Sequence, residues 1–301
     1  MLGLFELLAV GLVVAMAIGI HATIRTLMRP PRRTYSWAVA RGKPGDPREL
    51  TPARQYQSWT FTSRGAALPV WDIVGDKPQG PIVVITFGWG DARVTMLQRA
   101  GVLARSASRV ILWDLPGHGE SPREASFTLG THEHEDLLAL LASLTQAKSG
   151  EASPKIVLYG FSLGAGVSIV AAAHSDCPAG VAGVIAEAPY RVPATPARNV
   201  LRQMGMPFRW NLPVAMACIS LDQGKGLAWR GFDRAAHAAV LKVPLLVIHG
   251  TQDPVCPIED GDEIARVAGG EFVAIEGGGH LDLWNDERAA DAIADWLRRL
   301  A

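Results

Sequence analysis

The chain has 301 residues, with 29 Lys plus Arg against 29 Asp plus Glu. That balance offers no basic footprint for a nucleic-acid partner. A content of 49% hydrophobic and 19% charged residues excludes disorder and leaves apolar surface for one globular domain of about 250 residues plus a small extra segment.

The neutral total is unevenly spread. Leu2 to Ile24 holds a single charge, Glu6, and then Arg25, Arg29, Arg32 and Arg33 follow closely, so residues 34–301 carry 25 basic against 28 acidic groups. Twenty-three helical residues reach roughly 35 Å, enough to cross a hydrocarbon core of about 30 Å. The segment therefore reads as a transmembrane helix over residues 2–24, with a buried or interfacial helix as the alternative. It lacks the basic start and the small-residue cleavage site of a signal peptide. The arginine cluster predicts that everything after Arg25 is cytoplasmic by the positive-inside rule. Cys177, Cys218 and Cys256 form no CxxC pair and leave an odd one over, which points to free thiols in a reducing compartment. Gly11, Ala15 and Gly19 fall four apart on one helix face, where a second copy could approach to form a homodimer. Residues 25–53, rich in Pro and Arg, read as a linker, and the soluble domain as residues 54–301.

Eight short β-branched or aliphatic runs follow: 56–62, 68–74, 82–87, 110–113, 155–159, 181–186, 245–249 and 271–275. Helical patterns lie at 93–106, 132–148, 163–174, 260–268 and 286–300. Two opening strands followed by βα alternation predict an α/β fold, a mostly parallel eight-stranded sheet with helices on both faces. The rhythm breaks once, and residues 189–242 read as an inserted cap.

Tyr159-Gly160-Phe161-Ser162-Leu163-Gly164 ends a predicted strand and opens a predicted helix, the context that a G-x-S-x-G nucleophile turn requires. A serine at such a tip stands at a helix N-terminus, where backbone N–H groups favour developing negative charge. His132-Glu133-His134-Glu135-Asp136 crowds possible metal ligands together, but His132 and His134 face different sides of a helix, and no metal site is expected.

With these motifs the chain from about residue 55 resembles the α/β-hydrolase fold family. Phe87-Gly88-Trp89-Gly90 resembles the oxyanion turn after the third strand, with Phe87 in place of the usual His. Asp114 to Ser121 resembles the loop after the fourth. His249-Gly250-Thr251-Gln252-Asp253 resembles the acid turn, and Gly277-Gly278-Gly279-His280 the histidine loop. The resemblance implies Ser162 as nucleophile, His280 as general base and Asp253 as its orienting acid, in the chain order of this fold. The Trp89 and Leu163 backbone amides become the oxyanion hole. Glu187, ending the sixth strand, is the alternative acid. His118, His249 and Asp114 are assigned structural roles, and Cys256 that of a packed thiol.

The function that follows is a serine hydrolase of carboxylic esters working through an acyl-enzyme, with no cofactor. A membrane helix would favour lipophilic or lipid acyl substrates. Thioesterase, amidase or peptidase, and acyltransferase chemistry are alternatives on the same residues, as is a non-catalytic binding module on the same fold.

Overall fold

Runs such as Ile82–Thr86 and Leu245–Gly250 are buried at every position, as strands covered on both faces must be. A computed structural model describes residues 3–145 and 154–300. Residue 2 and residues 146–148, which the sequence assigns to helices, and residue 301 lie outside the described residues. The chain begins with α1 (Leu4–Met28) and α2 (Tyr35–Val39). Strands β1 (Tyr56–Ser63), β2 (Ala66–Val74) and β3 (Ile82–Thr86) precede α3 (Leu97–Leu103), β4 (Arg109–Trp113) and α4 (Glu133–Thr145). Next come β5 (Ile156–Phe161), α5 (Leu163–Ala173) and β6 (Val181–Glu187). The insertion holds α6 (Ala194–Gln203), α7 (Asn211–Asp222) and α8 (Arg234–Ala238). The chain closes with β7 (Leu245–Gly250), α9 (Ile258–Ala268), β8 (Glu271–Ile275) and α10 (Glu287–Leu300).

All eight strands join one sheet in the order β1-β2-β4-β3-β5-β6-β7-β8. Only β2 runs antiparallel to its neighbours; the remaining pairs are parallel. The sheet grows outward in both directions from the β3–β5 pair, so their following loops leave in opposite senses and open a crevice at the carboxyl ends of these strands. Trp89 follows β3 and Ser162 follows β5, one on each side of that crevice.

Helix α1 is long and apolar enough to cross a membrane, with Leu4 to Ile18 exposed. Its last turns are tied to the insertion. A Cβ at Gly19 would stand 2.7 Å from Trp210 Cη2, Asn211 Nδ2 donates to Thr23 Oγ1 at 2.5 Å, and Leu27 is buried. Gly19 of the small-residue stripe thus faces α7 of the same chain, whereas Gly11 meets open space.

Of residues 25–53, expected as a linker, 25–28 complete α1 and 30–53 lie folded against the domain. Arg32 donates to the carbonyls of Gly119 and Ser121, and Arg33 pairs with Asp91. Proline and arginine content describes a solvated tether equally well; what differs here is that the arginines reach carbonyl and carboxylate acceptors on the domain surface.

Candidate active site

The elbow between β5 and α5 is strained. Ser162 has φ 53° and ψ −114°, a left-handed conformation that costs an L-residue on the order of 1–3 kcal/mol. It is held there by its own N–H, which donates to the Glu187 carbonyl at 2.8 Å. The turn is so tight that a Cβ at Gly164 would run into the Thr86 carbonyl and one at Gly160 into the Ala165 backbone.

Two loops, those after β7 and β8, converge on this serine. His280 Nε2 lies 3.2 Å from Ser162 Oγ, and its Nδ1 lies 2.7 Å from Asp253 Oδ2. The carboxylate can only accept, so Nδ1 carries the proton and Nε2 presents its lone pair to the serine hydroxyl. Asp253 Oδ1 accepts from the amides of Val255 and Cys256 at 2.7 and 2.9 Å. Burial would raise the Asp253 carboxyl, but hydrogen bonds from His249 and His280 outweigh it and hold the group well below the usual carboxylate range. His249 is buried. Its Nε2 lies 3.1 Å from the Cys256 carbonyl and 3.4 Å from Asp253 Oδ2. Both neighbours are acceptors, so Nε2 is the protonated nitrogen, and His249 joins the site by fixing Asp253.

Glu187 is turned away from His280. Its carboxylate receives Arg99 through Nη2 at 2.6 Å and Nε at 3.1 Å, and the Tyr159 hydroxyl as well. The pair lies beneath the elbow: the Arg99 guanidinium stands 4.6 Å from the Phe161 ring centroid, and Phe161 packs 5.0 Å from the ring of His280.

The other motif residues serve the surrounding loops. Phe87 packs edge-on to His118, and His118 to Phe127; burial lowers the His118 imidazole to about 4, so it is neutral at physiological pH. Asp114 accepts from the amides of Arg93 and Glu120 at 2.8 and 2.9 Å, and burial raises its carboxyl to about 6. In the His132–Asp136 stretch, Glu133 accepts from Thr128 and Gly130, Asp136 takes Ser63 and Arg64, and Glu135 pairs with His132. Asp253, Cys256 and His280 do place possible metal-ligand atoms within 4.8 Å of one another. Burial pushes the Cys256 thiol well up, so it stays protonated. Using His280 as a ligand would also break its bond to Ser162 or its bond to Asp253, depending on the nitrogen used.

A cavity of about 590 Å³ opens over Ser162 and His280, with Trp89 and Leu163 in its wall. The Leu163 amide occupies the first position of α5, where no helical carbonyl lies behind it. Pro196, Ala197 and Val200 of α6 form an apolar side, so the insertion supplies pocket surface. Two wall residues, Leu27 and Arg33, come from the segment read as linker. The Trp89 indole donates to the Leu27 carbonyl at 2.8 Å, which ties the end of α1 to the turn after β3. The available signal was the apolar Leu27-Met28 pair, which continues the run past Arg25.

The chain is similar to the Pyrococcus furiosus esterase Pf2001, with a TM-score of 0.69 and 20% identity over 90% of this chain and 97% of that one. It is also similar to a thermophilic esterase from Thermogutta terrifontis, with a TM-score of 0.58 and 24% identity over 82% of this chain and 99% of that one. At such identities the likeness speaks to fold. Protein phosphatase methylesterase 1 of Mus musculus is 23% identical over 151 residues, 48% of this chain and 38% of that protein. The match thus spans well under half the length of that curated relative. The Alpha/beta hydrolase family profile matches residues 86–296, most of the chain, and with the sheet order and the elbow turn in agreement, the chain belongs to the alpha/beta hydrolase family.

Proposed function

We propose that this hydrolase cleaves carboxylic esters through an acyl-enzyme on Ser162. The observation that carries the reading is the hydrogen-bonded series Ser162–His280–Asp253 at a strained elbow. His280 removes the hydroxyl proton as Ser162 Oγ attacks the ester carbonyl, and returns it to the leaving alcohol. Asp253 stabilises the imidazolium that forms between these steps. The Trp89 and Leu163 amides receive the negative charge that develops on the carbonyl oxygen. Water then enters by the same route and releases the acid. A fluorophosphonate probe should label the wild type and fail to label Ser162→Ala. Labelling that persists in the variant would remove Ser162 from the mechanism.

Lipophilic esters at a membrane surface are the substrates this reading favours. The exposed stretch of α1, Leu4 to Ile18, is about 22 Å long, short of a hydrocarbon core of about 30 Å. A spanning α1 therefore draws the insertion to the interface, with half-exposed Trp210 at the depth that tryptophan prefers. Leu27, eight residues past Gly19, then brings the cavity wall within about 12 Å of that level. Arg25 and Arg29 remain exposed, the asymmetry that keeps the domain on the cytoplasmic side. Protease added outside sealed cells should leave the domain intact and should degrade it after lysis; digestion without lysis would reverse the orientation.

A further inference from the structure

A second cavity, of about 320 Å³, lies away from Ser162, bounded by Thr131, His134, His174, Lys225 and Arg234 among others. None of its lining residues is a carboxylate. Arg234 is only 3% exposed. It donates to the Gly130 carbonyl and stacks 3.9 Å from the Phe232 centroid, yet makes no ion pair among the described residues. The other buried arginines are neutralised: Arg93 pairs with Asp114 and Glu120, and Arg99 with Glu187. The acidic groups nearest Arg234 in its own region are used elsewhere, Glu133 by Thr128 and Gly130, Asp233 by Arg191.

Three polar atoms at this cavity are buried without a partner: Arg234 Nε, Thr131 Oγ1 and His134 Nδ1. Thr131 is itself only 4% exposed. Gly166 of α5 makes room for the Arg234 side chain itself, since a Cβ there would stand 2.8 Å from Arg234 Nε. Buried donors and an unpaired buried cation are costly unless an anion completes them. Together with the Lys225 ammonium the donors outnumber the two oxygens of a carboxylate, and the volume exceeds that of a halide.

We propose that this cavity binds a tetrahedral oxyanion, as inorganic phosphate or as the phosphoryl group of a small phosphomonoester. The site is independent of the ester chemistry at Ser162. Titration calorimetry of the full chain in detergent, at fixed ionic strength, should give one saturable site for inorganic phosphate. Lys225→Gln and Thr131→Val should each weaken it at least tenfold. Neither removes core packing, in contrast to Arg234→Gln, which strips a buried group that holds the Gly130 turn. Tighter binding of glycerol 3-phosphate than of phosphate would assign the site to phosphomonoesters, and equal or weaker binding to the free ion. Absence of saturable binding, unchanged affinity in both variants, or acetate and chloride binding as tightly as phosphate would each overturn the proposal.

Discussion

Asp253→Asn is expected to lower kcat for ester hydrolysis by about 10⁴-fold while leaving KM within a few-fold, whereas Glu187→Gln retains far more activity. The carboxylate accepts hydrogen from His280 Nδ1 at 2.7 Å, which fixes the tautomer whose Nε2 faces Ser162. An amide at position 253 can turn its NH₂ toward Nδ1, which favours the opposite tautomer and leaves Nε2 protonated and unable to take the serine proton. The Val255 and Cys256 amides set this bias, because both donate to the Oδ1 position and hold the remaining carbonyl oxygen there. Asparagine also lacks the charge that stabilises the imidazolium. Steady-state kinetics on a short-chain ester with both variants checks the assignment. An Asp253→Asn enzyme within tenfold of wild type would transfer the acid role to another group.

The family and the sheet were legible in the sequence because they rest on local patterns. Apolar runs such as Val157–Tyr159 and Leu245–Ile248 fix strands buried on both faces, and Gly160 and Gly164 mark a turn that side chains cannot enter. The hydrogen-bonded group Ser162, Asp253 and His280 was legible through this turn and the glycine turns after β7 and β8. Contacts between distant segments were not. Nothing near Arg33 announces Asp91 as its partner, and nothing near Leu27 announces that its carbonyl receives the Trp89 indole. The same holds for Glu187. From the sequence it is a carboxylate at a strand end, equally placed to reach a histidine, and only the crossing of α3 brings Arg99 to it.

That ion pair gives the second large expected effect. Arg99→Met leaves the Glu187 carboxylate, 1% exposed, with the Tyr159 hydroxyl as its remaining side-chain donor. Breaking one member of a buried pair costs about 3–5 kcal/mol, because the surviving charge stays out of water without its counter-ion. The double variant Arg99→Met/Glu187→Leu removes both charges, and its stability is expected to return to within about 1–2 kcal/mol of wild type, the residue being the unpaired Tyr159 hydroxyl. Urea unfolding of the two variants and wild type in the same detergent measures both values. Activity separates the two roles of the pair. The Glu187 backbone carbonyl that holds Ser162 N–H survives in both variants, so stability should recover in the double variant with the elbow intact. A double variant as unstable as Arg99→Met would mean that the pair contributes net stability beyond its own desolvation.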